Sequence, residues 1–218
     1  LQEIAREHAA ALGVSVLDLQ KRGLTWFISR YHLQMEQYPG WGETITIRTW
    51  PSERQTLFML RDFEILNKSG SVIGRATSSW VVVDLNKKRP VSPAKNLPEI
   101  ENNPQRAVND SFPSLPAAEN WEIEKQYTVR MQDIDVNNHV NNVVYIEWAL
   151  EAIPANILKK CQPEHVEISF KGEAFYNEAV ISRCSKNFNG DENIFLHQIV
   201  RKEDGKELAR LRTKWTKS

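Results

Sequence analysis

The segments "GSVIGRATSSW", Gly70 to Trp80, and "GKELARLRTKW", Gly205 to Trp215, each place Arg five and Trp ten residues after Gly. The two glycines stand 135 residues apart, so a chain of 218 residues carries one pattern twice. This repeat constrains the fold more than any other feature, because a pattern used twice builds the same supersecondary unit twice. Carried back without gaps, the offset sets Glu43 on Glu178, Ile45 on Val180, Leu60 on Phe195, Ile65 on Val200 and the turn "NKSG" on "KEDG". Two hairpins are therefore expected to match in register.

Each half reads as a helix followed by about four strands. The strand signal is alternation such as Ile45/Ile47 against Thr44/Thr46, or Val166/Ile168/Phe170 against Glu167/Ser169/Lys171. The first helix runs from Leu1, with Leu1, Ile4, Ala5, His8, Ala9 and Leu12 on one face and Gly13 as its C-terminal cap. In the second half a strand, "YTVRMQD", precedes the helix "NNVVYIEWALEAI", which stops at Pro154. The first half lacks such a strand, and the repeat leads us to expect that a strand and loop belong before Leu1. Six prolines between residues 86 and 120, with little periodicity, are expected to form an ordered-to-extended linker. The expected organisation is thus residues 1–85, a linker at 86–120, and residues 121–218. A long antiparallel sheet wrapped around one helix, present twice, is an α+β tandem double hotdog. That architecture serves thioesterases, dehydratases and non-catalytic acyl binders alike, so it does not by itself assign a function.

Lys plus Arg and Asp plus Glu both number 28, so no global field points to nucleic acid or to a membrane surface. No apolar run is long enough for a membrane span. The two cysteines, Cys161 and Cys184, have no metal-motif spacing and are too few for a disulfide scaffold, which favours a reducing, cytoplasmic setting.

Between the strand-like and helix-like runs of the second half lies "DIDVNNHVNN", Asp133 to Asn142. A calcium loop of the EF-hand kind would need Gly and Glu where Asn138 and Val144 stand. Zinc would need further ligands, yet His8, His32, His165 and His197 form no paired motif with His139. Loop and capping preferences account for Asn141 or Asn142, and Asp133 reads as structural. They do not account for Asp135, Asn137 and His139 at alternate positions. Free amides at a helix start stabilise an oxyanion, and a carboxylate with an imidazole can handle water or a nucleophile, which together suit acyl transfer. No Gly-x-Ser-x-Gly elbow, phosphate loop or dinucleotide fingerprint competes.

"DIDVNNHVNNVVYIEWALEAIP" resembles the signature of acyl-acyl-carrier-protein thioesterases, the plant FatA and FatB enzymes and their bacterial relatives. "YPGWGETITIRTWPSE", "RDFEI" and "GRATSSWVVVD" resemble the N-terminal hotdog of that family, so the resemblance spans nearly the whole chain. It implies catalytic roles for Asp135, Asn137, His139 and Glu173 in the second hotdog, and no cofactor or metal. The family often has Cys after the glutamate; here Ala174 stands there, so the expected mechanism runs without cysteine. By analogy, Asp135 lies closest to the carbonyl and Glu173 orders water, with Asn137 and His139 orienting both. Backbone amides of Val140, Asn141 and Asn142 are expected to hold the oxyanion.

The implied substrate is a fatty acyl chain on acyl carrier protein, an acidic partner that needs a basic docking patch. Candidates are Lys87, Lys88 and Arg89, then Lys159 and Lys160, and Arg201 with Lys202. An acyl-CoA substrate, a non-catalytic acyl binder and a hotdog hydratase are the rival readings, and the protein is expected to be a monomer or a homodimer.

Overall fold

A computed structural model describes residues 1–186, 191 and 193–217. The chain divides into two compact units, Leu1–Phe112 and Pro113–Ser218.

Unit one opens with α1 (Gln2–Ala11) and α2 (Val16–Gln20), followed by β1 (Leu24–Met35), β2 (Thr46–Arg54), β3 (Phe58–Leu66) and β4 (Val72–Asp84). Gly13, at φ +67°, takes the left-handed turn that ends α1. Ser15 and Asp18 then start α2 by exchanging a capping box. The strands order β2-β3-β4-β1, antiparallel throughout with single-residue bulges in β1, β2 and β4, and one face of the sheet meets the helices. Ala5 of α1 packs there on Phe63 and Ala76, while Val14 and Leu19 pack on Leu24, Met59 and Val82.

The proline-rich segment is shared between the units. Its first part adds β5 (Arg89–Val91) to β4 and forms α3 (Pro93–Asn96). Leu97 and Ile100 then join the apolar cluster around Leu19. Further on, Arg106 Nε donates to Asp62 Oδ2 at 2.9 Å and Nη2 donates to Thr77 Oγ1 at 3.0 Å. Asp62 and Thr77 are fully buried, so a guanidinium is needed to compensate them. Apolar and charged anchors thus bind to unit one much of what composition reads as a linker.

Unit two comprises β6 (Ile123–Thr128), α4 (Asn142–Leu150), α5 (Ala155–Leu158), β7 (Cys161–Phe170), β8 (Ala179–Ser185), β9 (Ile194–Arg201) and β10 (Glu207–Lys217). Its order is β7-β10-β9-β8-β6, again antiparallel. Helix α4 buries Val144, Tyr145, Trp148 and Ala149. Tyr145 meets Trp148 and Phe170 edge-on, and Tyr127 stacks on Trp148.

The repeat recurs in side-chain detail: Trp80 Nε1 donates to Ser78 Oγ at 2.8 Å, and Trp215 Nε1 donates to Thr213 Oγ1 at 3.0 Å. The gapless match fails in one strand. Leu66 closes the first hairpin against Val72, but Glu207 pairs with Val200 rather than Arg201, because the second hairpin encloses one more residue. A slip of one residue exchanges the faces of a strand. Leu60 therefore corresponds to Ile194, not Phe195, and Ile65 to Ile199, not Val200. By the same register His197, paired with Leu211, occupies the place of Phe63, paired with Ala76, and both are fully buried.

Candidate active site

The polar stretch folds as a tight turn between β6 and α4. Asp133 is buried and accepts from the Arg130 backbone N–H at 2.8 Å and from Arg130 Nη2 at 2.9 Å. Asn141 caps α4, its side chain accepting from Val143 N–H at 3.1 Å. Both residues are architectural. Asp135 ties off the turn: Oδ1 accepts from the Asn137 N–H at 2.8 Å and the His139 N–H at 3.4 Å, and its own N–H donates to the His139 carbonyl at 2.8 Å. Asn138, at φ +63°, takes the left-handed position that an asparagine tolerates.

These bonds present His139 to the loop joining β7 and β8. His139 Nδ1 lies 3.2 Å from Glu173 Oε1, with both side chains about one-third exposed (34% and 36%). The ring also meets Phe175 edge-on at 5.3 Å. Of the four sequence-predicted side chains, His139 and Glu173 touch, Asp135 shares the polar turn with His139, and Asn137 is exposed in that turn.

The expected oxyanion donors need correction. The Val140 N–H donates to the Ala174 carbonyl at 3.0 Å, and the Asn141 N–H donates to the Asp133 carbonyl at 2.8 Å. Neither is available to a substrate, because the turn uses both to fasten itself. Among the described residues the Asn142 N–H has no acceptor.

Two residues that sequence reasoning did not place at the site hold Glu173 in position. The Ala174 N–H donates to Tyr145 Oη at 2.9 Å, a buried bond, and burial pushes the Tyr145 hydroxyl up to about 12. Arg201 Nη2 donates to the Glu173 carbonyl at 2.8 Å, while its Nε donates to Glu178 Oε2 at 3.2 Å and its Nη1 to Asp204 Oδ2 at 3.0 Å. Tyr145 falls three residues after Asn142 on the helix, a spacing that puts both on one face and is the available sequence signal. Ala174, the residue after Glu173, is fully buried. Beside the loop, an open cleft of about 500 Å³ runs between Tyr176–Ala179 and Arg201–Glu203.

The basic candidates are dispersed. Lys87 pairs with Asp84 at 3.3 Å, Lys88 turns through φ +49°, and Arg89 opens β5. Lys159 and Lys160 are exposed after α5. Arg201 is committed as above, and Lys202 Nζ donates to Gln126 Oε1 at 2.8 Å. No helix among the described residues is long and apolar enough to cross a membrane.

Residues 1–100 match the acyl-ACP thioesterase N-terminal domain family and residues 117–217 the C-terminal domain family. The chain is 31% identical to oleoyl-acyl carrier protein thioesterase 2 of Arabidopsis thaliana, over all of this chain and 70% of that protein. It is 27% identical to dodecanoyl-[acyl-carrier-protein] hydrolase of Cinnamomum camphora, over 99% of this chain and 60% of that protein. Both relatives are chloroplastic. An acyl-ACP thioesterase structure from Bacteroides thetaiotaomicron superposes with a TM-score of 0.84 at 23% identity, over 99% of this chain and 86% of that one, and shows the shared fold. With both halves matched in order and the tandem hotdog in place, the chain belongs to the acyl-ACP thioesterase family.

Proposed function

We propose that this protein hydrolyses fatty acyl thioesters of acyl carrier protein, releasing free fatty acid and ending chain elongation. The observation that carries the reading is the His139–Glu173 contact at 3.2 Å, beside a turn that Asp135 closes. Glu173, held by His139, orders the water and takes its proton as the oxygen attacks the carbonyl carbon. Asp135 lies closest to that carbon, and Asn137 steadies the thioester. The tetrahedral oxyanion falls to the Asn142 N–H at the positive end of α4, a preorganised donor of the kind worth roughly 3 kcal/mol. Collapse breaks the C–S bond, and the proton taken from water goes to the leaving sulfur.

No thiol has a role in this reading: Ala174 stands next to Glu173, Cys161 opens β7, and Cys184 is fully buried, which pushes its thiol up to about 12. Lys87 to Arg89 and Lys159 with Lys160 are the docking candidates for the acidic carrier protein. The free thiols favour a cytoplasmic setting.

Free-thiol release from carrier-protein thioesters of graded chain length, with matched CoA thioesters alongside, tests the reading. Wild type is expected to release thiol from the carrier-protein series, and Asp135→Ala and Glu173→Ala each to fall by at least about a hundredfold. Near-normal turnover in both variants removes these residues from the chemistry. Release from CoA alone replaces the carrier protein as substrate.

A further inference from the structure

Phe175 lies two residues after Glu173, outside the proton transfer and the oxyanion site. Its side chain is 41% exposed, so core packing does not explain it. The internal repeat isolates what does. At the offset of 135, Gly40–Glu43 of unit one corresponds to Phe175–Glu178 of unit two, and the two make the same turn. The Gly40 N–H donates to Glu43 Oε2 at 2.9 Å, and the Phe175 N–H donates to Glu178 Oε2 at 3.1 Å. The Glu43 N–H donates to the Gly40 carbonyl at 3.1 Å, and the Glu178 N–H donates to the Phe175 carbonyl at 3.1 Å. Gly42 and Asn177 take the same left-handed place, at φ +74° and +68°. A Cβ at Gly40 would come no nearer than 3.9 Å to Glu43 Oε2, so this turn accepts a side chain but does not require one. At the same offset Tyr38 stands where unit two has Glu173. The bare turn thus goes with the missing acid, and the phenyl ring goes with the acid.

Beside Phe175 stands His139, with ring centroids 5.3 Å apart and planes at 78°. The His139–Glu173 contact is weak on its own, because both side chains are about one-third exposed and water competes for each. An ionised carboxylate only accepts, so Nδ1 carries the proton in this contact, whereas a solvated neutral imidazole carries it on either nitrogen. The outer torsion of a histidine is broad and roughly two-fold, and a half-turn of the ring would present carbon to Glu173 in place of Nδ1. An aromatic ring set edge-on against the imidazole favours one orientation and keeps water from that side.

We propose that Phe175 is a positioning residue, holding the His139 ring with Nδ1 toward Glu173 so that His139 in turn keeps the carboxylate aimed at water. Its kinetic consequence rests on the proposed reaction; its effect on the imidazole rests on unit two alone.

The tests are thioester kinetics and the tautomer of His139, read from its ring nitrogen NMR shifts at a pH where the ring is neutral. Phe175→Ala is expected to lower kcat about fivefold or more with little change in KM, the rate loss that one aromatic contact accounts for, and Phe175→Tyr to restore it. On a His139→Ala background, Phe175→Ala is expected to cost nothing further, because the ring it holds is gone. Wild type and Phe175→Tyr are expected to keep the proton on Nδ1, and Phe175→Ala to move it largely to Nε2. An equal loss with and without His139 overturns the positioning role and makes Phe175 a substrate contact. An unchanged tautomer in Phe175→Ala overturns it without any need of turnover. A tautomer shift without hydrolysis in the wild type leaves the positioning and removes the functional reading; hydrolysis without the shift does the reverse.

Discussion

Tyr145 carries a role at the residue scale that the polar loop obscures. Its hydroxyl is the acceptor for the buried Ala174 N–H, next to the residue that faces His139. Tyr145→Phe keeps the ring against Trp148 and Phe170 and removes only that acceptor. The orphaned amide is expected to lower stability by about 1–3 kcal/mol and, because the Glu173 loop loosens, to lower thioester turnover as well. Thermal unfolding and thiol release on one preparation check both; a destabilised variant with unchanged turnover denies the positioning role. The residue types in "DIDVNNHVNN" were readable as polar machinery, but their division was not. Asp133 and Asn141 serve the architecture while His139 meets Glu173, a contact between residues 34 positions apart that only folding brings about.

At the scale of elements, the loop from Lys171 to Glu178 is fastened from several sides. Val140 donates to its Ala174 carbonyl, Tyr145 accepts from it, and Arg201 of β9 donates to its Glu173 carbonyl. Arg201 is also the residue at which the second hairpin departs from the first. Its N–H donates to the Lys206 carbonyl at 2.9 Å inside the turn while its side chain reaches back to the loop. Arg201→Met is expected to lower kcat severalfold or more with a smaller effect on KM, since it frees Glu173 without touching the acyl chain. Steady-state kinetics decide; a change confined to KM would make Arg201 a binding residue instead. Alternation along the strands was legible, because a half-buried strand writes its faces into the sequence. The one-residue slip was not, because the turns align equally well either way and only the hydrogen-bond ladder distinguishes them.

For the molecule as a whole, the same slip gives unit two an acid sensitivity that unit one lacks at the corresponding place. His197, where unit one has Phe63, bonds to Thr213 Oγ1 at 3.0 Å, its Nδ1 has no partner among the described residues, and burial depresses it to about 3. The unfolded chain takes a proton on this ring near pH 6.5, whereas the folded chain does not until about 3. Its stabilising contribution is therefore complete above about pH 6.5 and declines as pH falls toward 3, by at most about 1.4 kcal/mol per pH unit. Denaturant midpoints at pH 7 and pH 5 are expected to drop in the wild type and to drop less in His197→Phe; equal drops would assign the sensitivity to other groups. The sequence by itself determined the repeat, the strand-rich α+β class, the helix that follows the polar turn and the family to which the chain belongs. All of these rest on local periodicity or on residues close together along the chain. The tertiary structure decided the register of β9, the anchoring of the proline-rich segment by Arg106 and the pairing of His139 with Glu173. Each of these depends on which groups lose water and which distant partners replace it, and burial is fixed only when the strands and helices pack.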